Sequence, residues 1–204
     1  MATRETMRRG QAPVRLRRAN AGVVRIIGGK WRSRRITFPE TETIRPTPDR
    51  VRETLFNWLG QVLDGMACVD LYAGSGALGL EAASRGAASV TLVDKNPRIV
   101  AALQDSKRML GADQVNIVKA DALEFLKRDQ STYDLVFVDP PFADGLPITL
   151  MKALAGRLSV TAMVYYEAGQ TYEPPTGWQI LKQGRAGMVH FYLLQVASTM
   201  LKAD

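Results

Sequence analysis

The residues best suited to chemistry in this chain are Asp139-Pro140-Pro141-Phe142, which follow the apolar run Tyr133-Asp134-Leu135-Val136-Phe137-Val138. The run reads as a buried strand, and two prolines lacking N–H donors must end it. What results is a rigid carboxylate, two proline carbonyls and an aromatic ring at the carboxyl end of a strand. In open α/β sheets that edge is where ligands bind. A fixed pair of acceptors beside a ring suits a planar group bearing an NH2. A plain strand-ending turn is the other reading of these four residues taken alone.

A second set of residues supplies a context. Asp70-Leu71-Tyr72-Ala73-Gly74-Ser75-Gly76-Ala77-Leu78-Gly79 joins a strand to a helix and contains G-x-G-x-x-G, with Asp94 about 20 residues beyond Gly74. That pattern by itself nominates NAD. Three features oppose it. Asp70 stands where it can hold an ammonium group and repel a diphosphate. The last two strands pair antiparallel, unlike a dinucleotide sheet, and NAD leaves Asp-Pro-Pro-Phe without a role. S-adenosylmethionine fits better: Asp70 faces the methionine end, Gly74 and Gly76 let the backbone approach, and Asp94 accepts from the ribose hydroxyls. Asp121, after the third strand, is placed to accept from the adenine amine, and it reads equally well as a helix N-cap. Tyr72, Ala73 and Ser75 of the loop, with Lys95 and Ala122 beside the acids, complete the expected cofactor site. No metal-ligating cluster or nucleophilic triad can be assembled, and His190 and Cys68 read as structural.

Alternating strand and helix patterns must position these groups. Strands are expected at 67–71, 89–93, 115–118, 133–138 and 163–166, with helices at 77–84, from Pro97, at 122–128, and after the fourth strand through Leu158. Such alternation implies a parallel sheet with right-handed crossovers. The runs 178–181 and 188–194 have only Gly184–Gly187 between them, which permits only an antiparallel pair. The expectation is a Rossmann-like α/β domain with a seven-stranded, mostly parallel sheet.

The front of the chain differs in charge. Residues 1–52 hold 14 Lys and Arg against 4 Asp and Glu, a net of +10 within a total of +7, so the remainder is −3. A basic front on a slightly acidic body points to a polyanionic partner, with a solvated tail as the plainer alternative. Residues 1–21 read as a disordered basic arm, and 22–45 as a β-hairpin with Gly28-Gly29 at its turn. The hairpin carries Lys30, Arg32, Arg34 and Arg35 around Trp31, a mixture suited to RNA backbone contact and stacking. Trp31 can equally pack the hairpin onto the body. Thr47 is then expected to cap a helix with Pro48 at its first position. Val51, Leu55, Trp58, Leu59 and Val62 form its core stripe, and Arg45, Arg50 and Arg52 cluster at its start. Residues 46–204 form the catalytic domain in this reading.

With 46% apolar and 23% charged residues over 204 positions, one ordinary domain is expected. No run of about 18 apolar residues is present and no apolar stretch follows the basic N-terminus, so neither a membrane span nor a secretory signal is expected. The single cysteine excludes an internal disulfide and fits a reducing, cytoplasmic setting.

Several motifs together resemble the RsmD family. They are Arg25-Ile26-Ile27-Gly28-Gly29-Lys30-Trp31-Arg32, Arg45-Pro46-Thr47, the helix Asp49–Leu59, the glycine loop through Glu81, and Val136–Phe142. The glycine loop is common to many methyltransferases, whereas its combination with the Arg-Pro-Thr helix is far more specific. The resemblance runs from about residue 23 to the C-terminal strands. It implies a class I methyltransferase fold and methyl transfer from S-adenosylmethionine to the exocyclic N2 of a guanine (of the guanine-966 type) in 16S ribosomal RNA. The RNA-binding residues it implies are the basic and aromatic positions above together with Arg25. The expected substrate is 16S RNA or a small-subunit assembly particle, and the expected state a monomer. Asp139 and the Pro140 carbonyl then clamp the amine, with Pro141 and Phe142 forming a shelf against the base. Amino methylation of adenine N6 in DNA or of another RNA is the alternative, and a non-catalytic ribosome-assembly protein a more distant one.

Overall fold

The structure, a computed structural model, describes residues 21–39, 46–141 and 147–197. Phe142 and Arg45 lie outside the described residues, as do residues 1–20 of the basic arm. The chain runs β1 (Ala21–Arg25), β2 (Arg35–Pro39), α1 (Asp49–Trp58), β3 (Ala67–Asp70), α2 (Ala77–Ser84), β4 (Ser89–Asp94) and α3 (Pro97–Leu110). It continues with β5 (Val115–Lys119), α4 (Ala122–Arg128), β6 (Tyr133–Val138), α5 (Ile148–Ala155), β7 (Leu158–Ala168), β8 (Trp178–Ala186) and β9 (Val189–Val196).

Seven strands form one sheet in the order β5-β4-β3-β6-β7-β9-β8. The first five are parallel, and β9 pairs antiparallel with both β7 and β8. Alternation along the strands sorts side chains to two faces. Cys68, Leu92, Leu135, Phe137 and Tyr165 pack with α1, α2 and α3, while Val69, Val93, Val136, Val138 and Tyr166 pack with α4 and α5. β4 and β6 leave β3 in opposite directions, so the crevice beyond the carboxyl ends of these strands lies at the topological switch point.

Several expected boundaries move. β7 begins at Leu158, where a helix was expected, because α5 stops at Ala155 with Gly156 as its C-cap. Gly184 lies inside β8 with Phe191's ring packed where its Cβ would stand, so the β8–β9 turn is confined to Gly187-Met188. α1 starts at Asp49 with Pro48 as N-cap and no side-chain cap bond, so Thr47 does not cap it. Val62 is 60% exposed because the helix has already ended near Gly60, whose φ is +90°. Phe56 and Arg52 take buried places on α1 instead.

The β1–β2 hairpin shares the core of the α1–α3 face through Val24, Ile26, Trp31, Ile36 and Phe38. Its connection spans residues 26–34, so Gly28-Gly29 is not a two-residue turn. The glycines dock the connection onto α2. The Ser84 carbonyl accepts from Lys30 N–H at 2.7 Å and the Ser84 hydroxyl donates to the Gly28 carbonyl at 2.6 Å. A Cβ on Gly29, whose φ is +70°, would overlap the Ser84 carbonyl. Among the described residues, no helix is long and apolar enough to cross a membrane.

Candidate active site

A cleft of about 870 Å³ opens at the carboxyl ends of β3 to β7. Asp70, Tyr72, Ala73, Gly74, Ser75, Asp94, Lys95, Asp121, Ala122, Asp139, Pro140 and Pro141 all line it. Gly76 stands just behind, as the N-cap of α2. Its φ of +79° and that of +49° at Gly74 are left-handed, the conformation that turns the loop sharply from β3 into α2.

Asp70 is enclosed at the end of β3. It is 2% exposed, its Oδ2 accepts from Gly79 N–H at 3.2 Å, and its Oδ1 has no hydrogen-bond partner among the described residues. A buried carboxylate oxygen left unpaired is costly, and a ligand donor would satisfy it. Burial raises the Asp70 pKa to about 7, against the opposing bonds from the Gly79 and Tyr72 N–H groups, and the charges of Asp94 and Glu167 raise it further. Asp94 ties the next strand end to the loop: Oδ2 accepts from Gly74 N–H at 3.0 Å and Oδ1 from Asn96 N–H at 2.8 Å. Asp121 caps α4 through Oδ1, accepting from Leu123 and Glu124 N–H, and stands exposed at the cleft edge.

Asp139 is half-buried where β6 ends, and Pro140 behind it is buried. Burial, then the charges of Glu167 and Asp70, hold its carboxyl well above the usual carboxylate range. Glu167 and Thr47 were not anticipated here. Glu167 is 3% exposed, lines the cleft and accepts from the Tyr165 hydroxyl at 2.8 Å. Burial raises its pKa too, opposed by hydroxyl bonds from Tyr165 and Thr47. The available signal was positional: Glu167 lies at the carboxyl end of β7, beside β6, which Asp139 follows directly.

The basic residues divide. Arg25, Lys30, Arg32, Arg34, Arg35 and Arg50 are exposed, with Arg25 3.4 Å from Asp49. Trp31 is 5% exposed and packs the hairpin connection onto the body, so its ring is not offered to a base. Arg52 is fully buried and pairs with Asp49 and Glu81, which removes it from any phosphate-facing surface. Periodicity treats an arginine as a surface residue and cannot see an acidic partner 29 positions away.

A five-stranded parallel sheet closed by an antiparallel pair, with acids at successive strand ends around a glycine turn, defines the class I methyltransferase fold. Residues 24–195 match the family described as "Conserved hypothetical protein 95". Ribosomal RNA small subunit methyltransferase D of Escherichia coli (strain K12) is 40% identical over 182 residues, covering 87% of this chain and 92% of the relative. The protein of that name from Haemophilus influenzae is 37% identical, covering 85% and 94%. The solved structure of yhhF from Escherichia coli superimposes with a TM-score of 0.77 at 39% identity, covering 87% of this chain and 99% of that one. The chain belongs to the RsmD family.

Proposed function

We propose that this chain transfers a methyl group from S-adenosylmethionine to the exocyclic N2 of a guanine in small-subunit ribosomal RNA. Support for the substrate comes from the relatives, which carry the name ribosomal RNA small subunit methyltransferase. The observation that carries the chemistry is one cleft holding Asp70 with an unpaired oxygen at one strand end and Asp139-Pro140 at the neighbouring one.

The residues present fit the cofactor. Asp70 Oδ1 is a buried acceptor awaiting a donor, and an ammonium is the donor that neutralises it. Gly74 gives the backbone close approach, with Tyr72, Ala73, Ser75, Lys95 and Ala122 as walls, while Gly76 turns the chain behind them, where a Cβ would meet Leu103 and Leu80. Asp94 and Asp121 have acceptor capacity beyond their backbone bonds, since each carboxylate oxygen takes two. When bound, S-adenosylmethionine supplies a methyl group activated by a sulfonium charge.

An aromatic amine is a weak nucleophile because its lone pair is delocalised into the ring. Asp139 and the Pro140 carbonyl accept its two hydrogens, which draws the nitrogen toward tetrahedral geometry and aims the lone pair toward the Asp70 end. Pro141 and Phe142 form the shelf for a base swung out of its stack. Alignment of this kind contributes several kcal/mol to lowering a displacement barrier. The alkylated nitrogen is acidic, and a carboxylate with a raised pKa is suited to take its proton. The exposed basic residues of the hairpin and Arg50 contact the RNA backbone, and a ribosomal substrate places the work in the cytoplasm.

The test is transfer of tritium from labelled S-adenosylmethionine to nucleic acid from cells lacking the gene. Label recovered as N2-methylguanosine in small-subunit RNA is expected. Label in DNA or at adenine N6, or none in any nucleic acid, overturns the proposal.

A further inference from the structure

The clamp of Asp139 and Pro140 accepts any aromatic amine, so it does not by itself separate guanine from adenine. The separating feature lies one atom away on the base. Guanine carries N1–H beside its amino group, a second donor, whereas adenine presents a bare N1 lone pair beside its own. A site for guanine therefore needs a second acceptor next to the clamp, one whose carboxylate oxygens are fixed in place by donors of their own.

Glu167 meets that description. β6 and β7 run parallel with Val138 opposite Tyr166, so Asp139 and Glu167 are the next residues along two neighbouring strands. Side chains at paired positions leave the same face of a sheet, with strands about 4.8 Å apart. Glu167 lines the cleft while 3% exposed. It receives the Tyr165 hydroxyl at 2.8 Å and the Thr47 hydroxyl from the segment before α1. Two hydroxyl donors fix the carboxylate as an acceptor, and its oxygens have room for further bonds. Independently, the unpaired Oδ1 of Asp70, also in this cleft and 2% exposed, marks the pocket as built for ligand donors.

We propose that Glu167 reads the target base as guanine, accepting its N1–H while Asp139 and Pro140 hold its amino group. The assignment rests on the guanine-N2 reading above. Adenine fails at Glu167 because its N1 lone pair faces a carboxylate. Tyr165 and Thr47 are positioning residues for that acceptor.

The test is a ratio. Small-subunit RNA is prepared with either guanine or 2-aminopurine at the target position. 2-Aminopurine keeps the 2-amino group and presents a bare N1. The RNA is offered free or in the reassembled particle, whichever the unaltered chain methylates. The unaltered chain is expected to prefer guanine by about 100-fold or more in kcat/KM, and Glu167→Gln, whose amide can donate to N1, to reduce that preference by about tenfold or more. Comparing the two enzymes on both bases cancels the intrinsic difference between the bases. A preference changed by less than about twofold in a cooperatively folded Glu167→Gln overturns the assignment. If that variant does not fold, Tyr165→Phe is read instead: a reduced preference supports the assignment and an unchanged one overturns it. An unaltered chain that methylates guanine and 2-aminopurine equally removes the role of Glu167 and leaves the guanine-N2 reading standing. An unaltered chain that leaves guanine-bearing RNA unmethylated overturns both.

Discussion

Arg52 Nη1 lies 3.4 Å from Glu81 Oε2, and neither side chain reaches solvent. The same Glu81 carboxylate accepts from Ile27 N–H at 2.8 Å, Gly28 N–H at 2.7 Å and Arg85 Nε at 2.9 Å. Arg52 in turn donates to the carbonyls of Arg25 and Thr47. One buried charge therefore joins the hairpin connection, α1 and α2, and through Thr47 it reaches Glu167 on the cleft floor.

Removing one partner of such a group leaves the others buried and uncompensated. Glu81→Gln is expected to destabilise the fold by about 3–5 kcal/mol, visible as a lower urea midpoint at unchanged m. Arg52→Lys is expected to lose a substantial part of the same amount, because a point charge cannot reproduce the guanidinium's bonds to Thr47, Arg25, Asp49 and Glu81. A Glu81→Gln protein within about 0.5 kcal/mol of the unaltered one would show that the network is dispensable.

Asp139→Ala tests the clamp. Loss of one preorganised hydrogen-bonding group at a reacting centre lowers kcat by about 10²–10³, and that is the expected fall in single-turnover methyl transfer. Cofactor affinity by calorimetry should stay near that of the unaltered chain. Near-normal turnover with cofactor binding intact would remove Asp139 from the mechanism.

Asp70 gives the cleft a pH signature. Its carboxyl is raised from 3.8 to about 7 by burial, so between about pH 4 and 7 the folded chain holds a proton that the unfolded chain has released. Stability therefore falls as pH rises through that window, by up to about 1.4 kcal/mol per unit. The raised carboxyls of Asp139 and Glu167 act with the same sign. Asp70→Asn should be more stable than the unaltered chain at pH 7.5 and lose less stability between pH 5 and 7.5. Cofactor affinity runs the other way and rises over this window, since an ammonium calls for ionised Asp70. Urea unfolding at both pH values settles the first point: equal slopes in the two proteins would contradict it.

The parts of this architecture that follow from local pattern were legible in the sequence. β6 matches its apolar run, α2 and α4 match their helical spans, and the short Gly-bounded link enforces the antiparallel β8–β9 pair. Groups whose roles depend on distant partners were not. Thr47 looks like an N-cap because its neighbours are Pro48 and Asp49, yet it is 5% exposed and its hydroxyl bonds Glu167, 120 positions on by residue number. Trp31 sits among arginines in sequence and against α2 in space. Val62 fits the α1 period but lies beyond the helix end, since periodicity carries no information about where Gly60 stops it. Strand-end acids at Asp70, Asp94 and Asp139 stood beside recognisable loops, whereas Glu167 stood beside none.

Trp31 and Arg35 lie four positions apart in sequence with opposite exposure, and they separate stability from RNA contact. Trp31 is buried in the core, so its ring is packing material for the hairpin connection, and its backbone N–H donates to the Ser84 hydroxyl at 2.9 Å. Trp31→Ala is expected to cost about 3–5 kcal/mol of stability. Arg35 is exposed on β2. Arg35→Ala should leave the urea midpoint nearly unchanged and weaken RNA binding. Each lost phosphate contact also removes about 0.7–0.9 from the slope of log K against log salt. Both readouts on both variants are needed. Trp31→Ala, measured where it is still folded, should keep the salt slope of the unaltered chain, because a buried indole neutralises no phosphate. A reduced slope in Trp31→Ala, or an unchanged slope and affinity in Arg35→Ala, would mean that the hairpin's exposed arginines are not the RNA-facing surface.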